Sequence, residues 1–190
     1  DSLPPVRFLD FDLFETLDEI PRCGFGQSKK HPNAPSTDHT VPLTSIDREN
    51  ALFIFISHGW ITGFDGRDSD GNVIDEFIAN NWRGYPHPDT KGNDKFKLEI
   101  EAIKYVWKTL APGMKKCYIW HDFSCMDQNG NPAGELKQLD KIVAACDCIL
   151  TPIVDLKHEE WEHPSSWGDY FTQYAAPSFS LNGGKFSYTN

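Results

Sequence analysis

Three short, largely apolar runs occur along the chain, at residues 51–57, 117–121 and 148–154. Apolar runs of this length, bounded by polar turns, predict strands that are covered on both faces, as in a parallel sheet. Between the runs, apolar residues at helical spacing predict amphipathic helices at 94–111 and 134–146. This alternation of strand and helix predicts an α/β fold in which helices cover both faces of a parallel sheet.

The segments outside this pattern carry less periodicity. Residues 1–49 are rich in Pro, Asp and Ser and are predicted to form an irregular N-terminal arm and linker, with a short helix or turn within 1–23. Residues 61–92 are predicted to form a long loop, and loops of that length are usually functional or disordered. We therefore expect an arm at 1–49 and a single α/β domain at 50–190.

Polar side chains follow each apolar run directly. Ser57, His58 and Trp60 follow the first run, Asp122 follows the second, and Asp155 follows the third. Right-handed crossovers bring the carboxyl ends of parallel strands to one edge of a sheet, where open α/β sheets bind ligands. We expect these five side chains to be candidates for ligand binding at that edge.

Each of these candidates also has a structural interpretation. His58 and Trp60 either face a ligand or pack under the long loop, and Ser57 either contacts a ligand or caps backbone groups. Asp122 either holds a ligand hydroxyl or caps the turn that follows it. The local sequence leaves these alternatives open.

The tripeptide "HPD" at 87–89 supplies two further candidates, His87 and Asp89, just before the first predicted helix. They either contribute to the ligand site or belong to a rigid turn that leads into the helix. No Gly-rich phosphate loop follows a strand, and Ser57 lacks the GxSxG context of a hydrolase nucleophile.

Metal motifs are also missing from the sequence. The stretch "DGRDSDGNVIDEF" lacks oxygen ligands at both ends of a calcium loop. The five cysteines lack CxxC spacing and are expected to be small buried residues in a reducing compartment. The sequence therefore predicts no metal site and no bound cofactor.

Charge and hydropathy narrow the partners of this chain of 190 residues, whose formal net charge is −10. Binding to a nucleic-acid duplex draws much of its affinity from Lys and Arg, which are few and scattered here, so we expect no nucleic-acid partner. No apolar run approaches the roughly 20 residues of a membrane-spanning helix, and the N-terminus lacks the pattern of a signal peptide. We expect a cytoplasmic protein without a membrane partner.

The motifs at the strand ends carry a family resemblance. The stretches "FISHGW", "IWHDFSCMDQ" and "LDKIVAACDCILTPIVD" resemble, in order and spacing, the Toll/interleukin-receptor (TIR) superfamily and specifically its divergent TIR-like and fungal heterokaryon-incompatibility (HET) relatives. The resemblance covers about residues 50–155 and implies a flavodoxin-like fold. A complete sheet of that type needs one or two further strands, so we expect either a C-terminally truncated chain or a shortened member completed by a partner.

The resemblance implies one of two activities of the immune and cell-death type. The first is hydrolysis of NAD at the nicotinamide–ribose bond, with NAD or a related nucleotide as substrate; the alternative is a non-catalytic signalling module that self-associates. In the enzymatic members a glutamate in a Trp-Cys-x-x-Glu setting holds the ribose hydroxyls, and this chain contains no such motif. Glu159 and Glu160 lie in a loop-like context and are not assigned that role, so the sequence predicts no catalytic residue.

Overall fold

The computed structural model describes residues 3–29, 31–58, 85–89 and 92–152, together with the backbone of two strands near the C-terminus. Its strands are β1 (Arg7–Asp10), β2 (Thr40–Pro42), β3 (Ala51–Ile56), β4 (Lys116–Trp120), β5 (Cys148–Leu150), β6 (Phe179–Asn182) and β7 (Lys185–Tyr188). Its α-helices are α1 (Phe11–Phe14), α2 (Asp94–Leu110), α3 (Asp122–Cys125), α4 (Ala133–Leu136) and α5 (Leu139–Ala145).

The main sheet has five strands in the order β2-β1-β4-β3-β5. Strand β3 runs parallel to both of its neighbours, β4 and β5, so the prediction that the three apolar runs form parallel strands is confirmed. The sheet as a whole is mixed, because β1 runs antiparallel to β4 and to β2. Five of the six residues of β3 are buried, as expected for a strand that is covered on both faces.

The order of the parallel strands fixes where the connecting helices lie. The chain leaves β3 for β4 on one side and later reaches β5 on the other side of β3. Right-handed crossovers then place the helices of the two connections on opposite faces of the sheet. The carboxyl ends of β3, β4 and β5 meet at one edge. The connection after β3 and the connection after β4 leave this edge towards opposite faces of the sheet.

The N-terminal segment is part of the sheet rather than an arm beside it. Strand β1 lies between β2 and β4, and its Phe8 and Leu9 have no exposed surface. The Phe8 ring meets the Phe53 ring edge-on, with 5.0 Å between the ring centroids. The helix expected within 1–23 is present as α1, but the sheet extends across the boundary expected after residue 49. Four residues are too few to show a strand period, and β1 therefore gave no strand signal in the sequence.

Helix α2 confirms the helix predicted at 94–111 and begins at Asp94, after Asn93, whose side chain makes no capping hydrogen bond. The cap comes from further upstream. The Asp89 carboxylate accepts hydrogen bonds from the backbone N–H groups of Lys95 and Phe96, at 2.9 Å and 2.7 Å. These groups are among the N–H donors that have no partner inside a helix, so Asp89 anchors the turn to α2.

The second predicted helix, 134–146, is present as the two shorter helices α4 and α5. Between them, the buried Gln138 side chain donates a hydrogen bond to the Pro4 carbonyl at 2.8 Å. All five cysteines are free and buried, as expected. Within the described segments no helix combines the length and the apolar character that crossing a bilayer requires.

Candidate functional site

A cleft of about 330 Å³ opens at the carboxyl ends of β3 and β4. Its walls come from the end of β3, from the segment that follows β4, and from α4 and α5. The stacked rings of Phe55 and Trp120 form one wall, with 4.8 Å between ring centroids and 12° between ring planes. Ser57, His58 and Asp122 line the same cleft, so the structure brings three of the sequence-predicted residues together.

Asp122 also makes the structural contact that the sequence allowed, whereas the contact given for Ser57 comes from its backbone. The backbone N–H of Ser57 donates to the Leu150 carbonyl at 2.9 Å, which ties the end of β3 to β5. The Asp122 carboxylate accepts the backbone N–H of Phe123 at 2.6 Å in the first turn of α3. The two interpretations of Asp122 therefore hold together: it caps a turn and still lines the cleft, with 36% of its side chain exposed.

His58 lies under the cleft and is paired with Asp122. The distance from His58 Nε2 to Asp122 Oδ1 is 2.9 Å, and only 1% of the His58 side chain is exposed. Burial lowers the pKa of His58, as does the neighbouring His121 ring, and the Asp122 contact opposes both. Because a carboxylate only accepts hydrogen bonds, Nε2 carries the proton in this pair.

A second histidine, His121, follows β4 and packs against His58, with 4.0 Å between ring centroids. It is completely buried. Its Nδ1 lies 3.6 Å from Asp122 Oδ1, and its Nε2 lies 3.6 Å from Oε1 of Glu99 on α2. Both ring nitrogens of His121 and both carboxyl oxygens of Glu99 lack a hydrogen-bond partner in the described part of the chain. Buried polar atoms without a partner are uncommon in folded proteins.

The burial of this cluster changes its ionisation. Burial raises the pKa of Glu99 to about 8, while His58 and Lys95 act in the opposite direction. Burial lowers the pKa of His121 to about 4, although the nearby Asp122 raises it. Burial also lowers the pKa of Lys95, opposed by Glu99. Burial therefore favours the uncharged forms of both the Glu99 carboxyl group and the His121 imidazole.

The cluster contains one arrangement of metal-ligand type. One nitrogen from each of His58 and His121 and one oxygen of Asp122 lie within 4.8 Å of one another. The sequence predicted no metal site, because the spacing 58, 121 and 122 matches no compact metal motif. The three residues meet only through the pairing of β3 with β4.

His87 and Asp89 lie in the turn before α2, not among the residues that line the cleft. Both are buried, with 1% and 2% exposure. The Asp89 backbone N–H donates to His87 Nδ1 at 3.1 Å, and the His87 ring packs edge-on against Phe123, with 4.8 Å between centroids. The contacts are those of a rigid turn leading into the helix, one of the two alternatives that the sequence left open.

Two other predicted candidates, Trp60 and Asp155, lie outside the described residues, as do Glu159 and Glu160. The sequence reasoning overlooked Glu99. Its signal was available, because Glu99 lies three residues after Phe96 and four before Ile103, on the buried side of α2. A carboxyl group at a core position of a helix is unusual and marks a candidate functional residue.

Comparisons of the chain with protein-family models, with curated proteins and with solved structures give no match. The resemblance to TIR-like and HET-like domains therefore stays a prediction. What supports a function for this chain is the cleft and the group of ionisable side chains at its floor.

Proposed function

We propose that the cleft binds NAD or a related nucleotide and that the domain hydrolyses the bond between nicotinamide and ribose. The observation that most strongly supports this function is the Asp122 carboxylate, which lines a strand-end cleft and is held at 2.9 Å by His58. Ligands of open α/β sheets bind at such edges. The finer assignment of the fold as flavodoxin-like belongs to the same proposal, supported by the strand order β4-β3-β5 of the parallel part.

The cleft has the size and surface for half of a dinucleotide. Its volume of about 330 Å³ is at the lower end of small-molecule sites, enough for a nucleoside with its base against the Phe55–Trp120 wall. The amide nitrogen of Gln128 donates to the carbonyls of Asp122 and Met126, at 2.9 Å and 3.1 Å. The side-chain oxygen of Gln128, Oε1, is then the atom that accepts a hydrogen bond from a ribose hydroxyl.

The proposed chemistry requires little proton transfer to the leaving group, since nicotinamide departs as a neutral molecule. Positive charge develops on the ribose ring as the glycosidic bond breaks, and a fixed carboxylate stabilises that charge. Asp122 takes this role, and His58 fixes its orientation. Water then adds to the ribose carbon and releases one proton to solvent, giving ADP-ribose and nicotinamide.

The test is incubation of the purified full chain with NAD, with nicotinamide release followed by chromatography. Asp122→Asn keeps the shape of the side chain and removes its charge, and we expect turnover to fall by about 100-fold or more. Asp140→Asn is the matched control, because Asp140 is exposed on α5 and is not among the cleft residues. Its turnover should equal that of the parent protein.

Two results would refute the proposal: no nicotinamide release from the folded protein, or equal turnover in the parent and in Asp122→Asn. Concentration-dependent assembly without turnover, measured by light scattering on the same preparation, would favour the alternative of a self-associating signalling module.

A further inference from the structure

We propose that His58, His121 and Asp122 bind one divalent transition-metal ion of the zinc type at the floor of the cleft. One ligand atom from each residue lies within 4.8 Å of the other two. Two imidazoles and one carboxylate form a donor set that zinc and iron(II) take in proteins. The inference rests on side-chain geometry and describes an alternative state of the site, because an ion on Asp122 replaces the His58 contact that the proposed cleavage of NAD uses.

The distances are close to those of a coordinated ion. Metal–ligand bonds of about 2.1 Å in a tetrahedral site place the ligand atoms about 3.4 Å apart. The separations from Asp122 Oδ1 to His58 Nε2 and to His121 Nδ1 are 2.9 Å and 3.6 Å. The third separation, between the two histidine nitrogens, is within 4.8 Å.

Glu99 supplies the independent observation. Its carboxyl group and the His121 ring are completely buried, and their polar atoms have no hydrogen-bond partner within the described segments. An ion on His121 Nδ1 requires the proton to be on Nε2, which faces Glu99 Oε1 at 3.6 Å. Metal-bound histidines commonly donate their other N–H to a carboxylate in this way. A bound cation therefore explains why a carboxyl group is buried here and what it pairs with.

Among the described residues, the partly exposed Asp122 side chain gives access to the site from the cleft. His58 and His121 close it from below, and Asp122, with 36% of its side chain exposed, opens it to the cleft. Three protein ligands leave a coordination position for water or for an oxygen of a ligand, which is the pattern of catalytic rather than structural zinc sites. Binding replaces the His58–Asp122 hydrogen bond: the proton on Nε2 of the neutral His58 ring moves to Nδ1, which frees Nε2 for the ion without net release of a proton.

The test is metal titration of the full chain after treatment with a chelator, using zinc in calorimetry and cobalt(II) in absorption spectroscopy. We expect one equivalent to bind, with the intense visible bands of tetrahedral cobalt. His121→Ala should weaken binding by at least 100-fold. Glu99→Gln, which keeps the shape and fold of the site, should weaken binding by about 10- to 100-fold as a positioning residue.

His39→Ala is the matched control, because His39 is a half-buried histidine next to β2; its affinity should equal that of the parent. Absence of binding by the folded parent, or equal affinity in the parent and in His121→Ala and Glu99→Gln, would overturn the inference. Nicotinamide release is not a readout here, so failure of the metal site and failure of NAD cleavage are recorded separately.

Discussion

The hydrogen bonds that anchor α2 allow a quantitative prediction for Asp89→Ala. The Asp89 carboxylate is 2% exposed and accepts the N–H groups of Lys95 and Phe96 at 2.9 Å and 2.7 Å. A hydrogen bond to a charged group contributes roughly 1.5–3 kcal/mol, so removal of both acceptors costs at least about 3 kcal/mol. That is a large part of the roughly 5–15 kcal/mol by which a domain is stable. Asp89→Asn keeps one acceptor oxygen and should lose about half as much.

The assay is urea unfolding followed by circular dichroism, which gives the free energy of unfolding of each variant. Asp94→Ala is the control, because Asp94 is exposed in the first turn of the same helix and its charge contributes only about 0.3–1 kcal/mol there. If Asp94→Ala destabilises the protein more than Asp89→Ala does, the assignment of Asp89 as the cap of α2 is wrong.

Three further predictions concern the core and the loops. Arg22→Lys should lower the free energy of unfolding by about 1–2 kcal/mol in the same assay, because the buried guanidinium donates to the carbonyls of Pro35 and Gln128 and to the Asn129 side chain; an unchanged value would show that charge alone suffices. Ile119→Val in the central strand should cost about 0.5–1.5 kcal/mol, whereas Ile149→Val, at 41% exposure, should cost less; equal costs would contradict the burial. Because burial raises the pKa of Cys23 and of Cys148 to about 12 and the other three cysteines are also buried, a thiol reagent at pH 8 should label the folded protein slowly and all five thiols after unfolding, and fast labelling before unfolding would contradict this expectation.

The parallel part of the fold was predictable because its signal is local. The runs that became β3, β4 and β5 are continuous and apolar, and α2 repeats its apolar residues at helical spacing. The antiparallel part depends on contacts between distant residues. Strand β1 pairs with β4 across more than a hundred residues, and neither its four residues nor the three residues of β2 carry a period that would predict this pairing.

The site was predictable to the same extent. Ser57, His58 and Asp122 were identified because polar residues after buried strands mark the binding edge of such sheets. The meeting of His121 with Glu99 depends on which face of α2 packs on the sheet and at what height, and a helical pattern gives only the face. The role of His87 stayed undecided because a turn that buries its histidine and one that exposes it have the same local sequence.

Strand β1 closes the flank of β4, and this has a practical consequence for any shortened form of the protein. A fragment that begins at residue 50, where the sequence suggests a domain boundary, would leave the N–H and C=O groups on that side of β4 unpaired and uncover the apolar surface under Phe8 and Leu9. Unpaired edge strands of this kind pair with other chains and promote aggregation. Self-association of such a fragment would then result from the loss of β1 and would not be evidence for a signalling module.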